Sequence, residues 1–237
     1  MLVKRAMSKN VVSVSVPGNR EKVLDLMRKE DKAVLPVVKG DTKQLVGLIT
    51  RSDLIVNPDE EQIAILMSTD LVTASPDDDV KDVAKKMIDN NVRRVPVVDD
   101  NGDLVGIITS FDLVSNALIK LESDDPVENF MITTVPTTWY KTPLNVAFET
   151  MKQFGLKSVL ALNDSAKLVG ILTETDFIEE SEIISERSEH SSTVGTEGDK
   201  WSWDSTSVLY IEKNCLKFTD KLVEDVGTHK VEVVNSK

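Results

Sequence analysis

A hydroxyl and a carboxylate three residues apart close the same apolar strand three times. Thr50 and Asp53 end Leu45-Val-Gly-Leu-Ile-Thr50, Thr109 and Asp112 end Leu104-Val-Gly-Ile-Ile-Thr109, and Thr173 and Asp176 end Leu168-Val-Gly-Ile-Leu-Thr173. Where a strand turns into a helix, the first helical N–H groups are free, and a carboxylate beside them is an acceptor with two oxygens. Such a carboxylate suits two vicinal hydroxyls, such as those of a ribose, as the acidic residue of the dinucleotide-binding fold does. The same Thr-x-x-Asp spacing is also a helix-capping arrangement that needs no ligand. Three copies do not choose between the readings, because a duplicated unit duplicates its caps.

The copies belong to a larger repeat. Met67, Val80, Met87, Pro96, Gly106 and Asp112 recur as Met131, Leu144, Met151, Leu160, Gly170 and Asp176 at a constant offset of 64 residues. Repeat 1 matches repeat 2 at an offset of 60 at Met27 and Met87, and of 59 at Gly47 and Gly106. It therefore carries one extra residue between Val38 and Leu45, in a turn, where insertion costs little. The boundaries read as 1–60, 61–122 and 123–180 for three repeats.

Within repeat 2, Leu71–Ala74 suits a short strand, and Ser75-Pro76 suits a helix start. Val80, Val83, Ala84, Met87 and Ile88 then fall at helical spacing. Leu144, Ala147, Phe148 and Met151 repeat that stripe in repeat 3, as do Val23, Leu24 and Met27 in repeat 1. Two β-rich runs around Asn101-Gly102 predict a hairpin, with Pro96 on an edge or opening its strand. Gly106 inside the second run predicts the close approach of a ligand or another backbone. Helical spacing returns after Asp112. The fold class is α+β, built of tandem β-α-β-β-α units. One such unit buries a marginal core, so repeats 1 and 2 are expected to pack face to face as one module.

A net charge of −12 on 237 residues argues against a nucleic-acid backbone or an anionic membrane as partner. No signal peptide or membrane-spanning run is apparent, which predicts a cytoplasmic protein. Cys215 is the single cysteine, so disulfides and thiolate metal clusters are not expected.

Residues 181–200 turn Glu- and Ser-rich and read as a flexible insertion, with order resuming near Trp201, Trp203 and Tyr210. Val223-Glu-Asp-Val-Gly227 lines up with Val127-Glu-Asn-Phe-Met131, and Val231–Val234 with the first strand of a repeat. Residues 201–237 thus read as the connecting helix and first strand of an incomplete fourth repeat. Repeat 3 then lacks a complete partner, and an exposed apolar sheet face leads to the expectation of a homodimer.

The order of Met, helix, Pro-Val-Val, Gly-containing turn and Leu-Val-Gly-Ile-Ile-Thr-x-x-Asp-Leu resembles the cystathionine-β-synthase (CBS) domain. Its tandem copies resemble the regulatory γ subunit of AMP-activated protein kinase. The resemblance implies clefts between paired repeats for adenosine-containing ligands: AMP, ADP, ATP, S-adenosylmethionine or methylthioadenosine. It implies Asp53, Asp112 and Asp176 as ribose readers helped by Thr50, Thr109 and Thr173, with Ser13, Thr73 and Thr137 bordering the adenine. It also places a phosphate-binding cation just before the Pro-Val-Val strand. Repeat 2 has Arg93 and Arg94 there, repeat 3 Lys157 and Ser158, and repeat 1 Ala33 and Val34. Side chains alternate along a strand, so at most one of the two arginines points into a given cleft. Repeat 3 departs further, with Leu160-Ala-Leu162 for Pro-Val-Val and with Pro136 and Trp139 entering its first strand.

Other candidates carry less. Asp77-Asp78-Asp79 reads as charge at a helix start rather than a metal site, and Asp99, Asp100 and Asp103 lack calcium-loop spacing. His190 and His229 have no plausible nucleophile beside them, no phosphate-binding Gly loop occurs, and Met27, Met87 and Met151 read as core fillers. The expectation is a non-enzymatic sensor needing no cofactor or metal, regulated by an adenine nucleotide or S-adenosyl compound. The alternative is a ligand-free scaffold for dimerisation or for docking to an enzyme on another chain.

Overall fold

The computed structural model describes residues 1–118, 125–193, 206–227 and 231–233. In repeat 1, β1 (Val14–Val16), helix α1 (Arg20–Lys29), β2 (Val34–Lys39), β3 (Leu45–Thr50) and helix α2 (Arg51–Val56) follow the expected β-α-β-β-α order. β1 lies parallel to β2, and β2 antiparallel to β3. In repeat 2, α3 (Ile63–Leu66) leads into α4 (Val80–Asp89), β4 (Arg94–Val98), β5 (Leu104–Thr109) and α5 (Ser110–Leu113). Its first strand is reduced to one parallel bridge, Ala74 to Val97. Repeat 3 comprises β6 (Thr137–Trp139), α6 (Leu144–Gln153), β7 (Ser158–Leu162), β8 (Leu168–Thr173) and α7 (Glu174–Glu180).

The helices form where the apolar stripes predict. Val23, Leu24 and Met27 are buried on α1, Val80, Val83 and Met87 on α4, and Leu144, Ala147, Phe148 and Met151 on α6. Ile88 is the exception at 79% exposure, on the rim of its stripe. The cap of α4 is Asp79, which accepts from the Lys81 N–H at 2.9 Å. Ser75 instead closes a turn with Asp78, so the helix starts later than Ser75-Pro76 predicts. α1, α4 and α6 each end at a left-handed residue, Asp31 (φ 44°), Asn91 (φ 52°) and Gly155 (φ 61°), the usual way to turn a chain off a helix.

Repeats 1 and 2 pair reciprocally. The segment leading into repeat 2 lies on the sheet of repeat 1, where Ser68 and Leu48 exchange backbone hydrogen bonds of 2.8 and 3.0 Å. The segment leading into repeat 1 does the same on repeat 2, through Ser8 and Ile107 at 2.9 and 3.0 Å. This is the close approach that the strand glycines permit. A Cβ on Gly106 would stand 2.5 Å from the Met7 sulfur, and one on Gly47 2.5 Å from that of Met67. The neighbour at Gly106 is thus a chain segment, not a ligand.

Repeat 3 is not left open on its helical side. Leu144, Phe148, Met151, Phe177 and Ile178 belong to one buried cluster with Val23, Leu24, Met27, Leu54 and Ile55 of repeat 1, whereas repeat 2 keeps a separate core. Arg28 of α1 fastens the contact by donating to the Ile178 carbonyl at 2.6 Å and the Ser181 carbonyl at 2.6 Å. Exposed apolar side chains of this repeat lie at its lead-in, where Phe130 is 74% and Ile132 80% exposed, and on its sheet, where Trp139 of β6 is 51% and Leu168 of β8 39% exposed.

Beyond α7, β9 (Ser181–Thr193) pairs antiparallel with β10 (Thr206–Phe218) in a continuous ladder. An unstructured insertion is therefore not what residues 181–193 form. The β-prone run Ser207-Val-Leu-Tyr-Ile211 supplies a ladder partner that local composition hides. The remaining residues of that insertion, together with Trp201 and Trp203, lie outside the described residues. Helix α8 (Val223–Val226) docks on repeat 3, its Val223 N–H donating to the Thr142 carbonyl at 2.9 Å, much as the Ile63 N–H of α3 donates to the Gly18 carbonyl of repeat 1 at 3.1 Å. Val231–Val233 forms no ladder, so the expected fourth-repeat strand is not seen there among the described residues.

Candidate functional site

All three Thr-x-x-Asp elements are closed capping boxes. Asp53 Oδ2 accepts from the Thr50 N–H at 2.7 Å and hydroxyl at 2.7 Å, Asp112 Oδ2 from Thr109 at 2.8 and 2.6 Å, and Asp176 Oδ2 from Thr173 at 2.6 and 2.8 Å. The capping reading thus holds for every copy. An ionised carboxylate offers about four lone-pair sites, so a cap confined to one oxygen leaves acceptor capacity for a ligand if the group can be reached. Reach separates the copies.

Asp112 and Thr109 line a cleft of about 550 Å³ where the three repeats meet. Repeat 1 contributes Val11, Val12, Val34 and Pro36 as an apolar wall, with Asp31, Lys32 and Arg51. Repeat 2 contributes Ile107 and Arg94, and repeat 3 contributes Thr175. Asp53 and Thr50 do not line this cleft. Asp176, in the first turn of α7, is only 7% exposed, which leaves its carboxylate little room for a ligand.

Of the two arginines before the Pro-Val-Val strand, Arg94 lines the cleft and Arg93 does not, as strand alternation requires. The Arg94 guanidinium is held below its usual pKa by burial first and then by Arg51 and Arg93, with Glu174 opposing. It stays charged at neutral pH, since an arginine starts so high. Ser13 sits just before β1, beside the cleft-lining Asn10–Val12. The Thr73 carbonyl accepts from Lys86 at 3.2 Å. Thr137 and Lys157 are exposed on repeat 3, and neither lines this cleft.

Sequence reasoning misses Arg51. It is 7% exposed, lines the cleft, donates from Nη2 to Asp31 at 3.1 Å and from Nη1 to the Thr175 hydroxyl, and keeps a buried Nε without a partner. The available signal was the residue after each box threonine: Arg51, Ser110 and Glu174, one cation in three copies. Next to it, the Ser52 hydroxyl donates to Glu174, a second polar tie between repeats 1 and 3.

Among the described residues, no group of His, Cys, Asp and Glu could hold a metal ion, and no helix is long and apolar enough to cross a membrane. The acidic run 77–79 is occupied otherwise: Asp77 pairs with Lys4, Asp78 with Lys86 at 3.1 Å, and Asp79 caps α4.

Sheets of this order, paired through reciprocal lead-in segments and carrying these boxes, define a CBS domain. The CBS domain family model matches residues 3–58, 61–118 and 127–182, and the chain belongs to that family. MJ1225 of Methanocaldococcus jannaschii is 23% identical over 197 residues, 75% of this chain and 70% of that one. Its crystal structure, described as a proposed archaeal homologue of γ-AMPK, superposes with a TM-score of 0.68 at 22% identity over 76% of this chain and 72% of that chain. A conserved Pyrococcus horikoshii protein matches with a TM-score of 0.51 at 28% identity, covering 76% and 70% of the two chains. MK0525 of Methanopyrus kandleri is 36% identical over 85 residues, 33% of this chain and 43% of that protein. The chain thus spans less than half of the latter relative's length.

Proposed function

We propose that this protein is a non-enzymatic sensor that takes an adenosine-containing ligand in the cleft between repeats 1 and 2. The observation that carries the reading is convergence. The cleft that brings Thr109 and Asp112 to its surface also has an apolar wall of Val11, Val12, Val34, Pro36 and Ile107 and a guanidinium from Arg94. An apolar wall suits a purine, a carboxylate suits the ribose hydroxyls, and a guanidinium grips phosphate by paired hydrogen bonds. About 550 Å³ lies within the usual range for small-molecule sites of roughly 300–1,000 Å³. Thr50 and Asp53 would serve a second cleft of the same pair. Binding would regulate by favouring one arrangement of the repeats, with the regulated enzyme on another chain and the protein acting in the cytoplasm.

A thermal-shift panel of AMP, ADP, ATP, S-adenosylmethionine, methylthioadenosine and guanosine tests this. A ligand at a hundred times its Kd stabilises the native state by about 2.7 kcal/mol. Stabilisation by adenosine compounds and not by guanosine is expected, and a flat panel rejects the reading. A second reading, a ligand-free scaffold that dimerises or docks through repeat 3, draws on the exposed Phe130 and Ile132. It predicts a flat panel together with a dimer that survives dilution in light scattering.

A further inference from the structure

The cleft is cationic on a strongly acidic protein, and its most buried cation is not the one before the Pro-Val-Val strand. Of the charged residues that line it, Lys32, Arg51 and Arg94 stand against Asp31 and Asp112, with Glu174 near Arg94 at its edge, on a chain of net charge −12. We propose that Arg51 is a second anion-reading residue, kept in reserve by Asp31, through which a phosphorylated ligand in this cleft is felt by repeat 3. This deepens the adenosine reading and rests on it.

Three observations carry the assignment. First, Arg51 is under-satisfied: its guanidinium has two hydrogen-bond partners and a buried Nε with none, although buried donors are nearly always paired. Second, its carboxylate partner is replaceable, since the Asp31 side chain is 90% exposed while that of Arg51 is 9% exposed. An ion pair with one member in water is weak, whereas a phosphate brings more charge and a geometry that matches the guanidinium fork. Third, both residues break the repeat pattern together. Asp31 occupies the left-handed turn position where repeats 2 and 3 have the uncharged Asn91 and Gly155, and Arg51 the position of Ser110 and Glu174. No backbone demand explains an aspartate there, because asparagine or glycine fits a left-handed turn at least as well.

The route to repeat 3 is short. Arg51 Nη1 holds the Thr175 hydroxyl in the first turn of α7, and the neighbouring Ser52 holds Glu174. A phosphate that takes the place of Asp31 on Nη2 leaves Nη1 on Thr175, so the anion, repeat 1 and the start of α7 become one bonded unit. An unphosphorylated nucleoside makes no such demand and leaves the Asp31 pair closed.

Titration calorimetry of the full chain with adenosine, ATP and inorganic tripolyphosphate tests the proposal. Asp31→Asn keeps the turn, as Asn91 shows, and should tighten ATP and tripolyphosphate by about two- to fivefold while leaving adenosine unchanged, the scale of one exposed ion pair. Arg51→Ser should weaken both anions about tenfold or more and spare adenosine. Because Arg51 is buried, Asp31→Asn stands alone as the test if Arg51→Ser does not fold. ATP, and not adenosine, should slow amide exchange over Glu174–Glu180. Unchanged anion affinity in Asp31→Asn, or equal exchange with ATP and adenosine, overturns the proposal. Asp112→Ala separates the readings: loss of adenosine with tripolyphosphate binding intact supports both, and unchanged adenosine binding rejects only the ribose assignment.

Discussion

Repeats 2 and 3 build the same box from the same residues and leave it at different depths. Thr109–Asp112 and Thr173–Asp176 cap their helices with the same bonds between 2.6 and 2.8 Å, yet Asp112 lines an open cleft and Asp176 is 7% exposed. What differs is what packs on the following helix. α7 is drawn into the core shared with repeat 1, with Phe177 against Phe148 and Phe218 at ring separations of 5.4 Å. α5, four residues long, buries only Leu113. The motif is thus a cap in both copies, and the neighbouring repeat decides whether its carboxylate can be reached.

Breaking the shared core should give the largest effect. Phe177→Ala removes a side chain that is 1% exposed and should cost about 3–5 kcal/mol. The counterpart Leu113→Ala, at 8% exposure in the separate core of repeat 2, should fall near the low end of about 2–5 kcal/mol. Denaturant melts of the two variants check the order, and equal losses would mean that repeat 3 is no more tightly held than repeat 2.

A smaller effect sharpens the same contrast at the boxes. Asp112→Ala loses a cap worth about 1 kcal/mol and should abolish adenosine binding in the cleft. Asp176→Ala should cost more stability, roughly 2–3 kcal/mol, because it removes a carboxylate that is only 7% exposed and leaves the partly buried Thr173 N–H and hydroxyl without their acceptor. It should leave ligand affinity unchanged. Paired melts and titrations check both, and a loss of affinity in Asp176→Ala would show a site in repeat 3 that the packing argues against.

The capping boxes and the buried helix stripes were legible in the sequence because each joins residues within about two helical turns of one another, and the repeat was legible because it restates them at a nearly constant offset. Arg94 over Arg93 was narrowed by strand alternation but chosen only by the structure. Arg51 was not legible. Its partners lie 20 and 124 residues away, at Asp31 and Thr175, and only the assembly of three repeats brings them together. The same holds for the contact of repeat 3 with repeat 1. Its apolar stripe announces burial without naming the partner.

The smallest effect separates the repeats by pH. Asp78 has Gly18 and Thr142 as its counterparts in repeats 1 and 3, so repeat 2 alone carries a carboxylate at this turn. Burial raises its pKa, but the Ser75 N–H at 3.2 Å and Lys86 at 3.1 Å outweigh burial, and the net shift is downward from 3.8. A carboxylate whose folded pKa is depressed contributes stability above its unfolded pKa and loses that contribution as pH falls through the folded value. Both side chains are partly in water, which screens the pair to about 1 kcal/mol or less. Asp78→Asn should therefore melt slightly below the parent at pH 7, and the gap should close as pH falls below about 4. A gap that persists at pH 2 would assign the effect to the shape of the turn rather than to its charge.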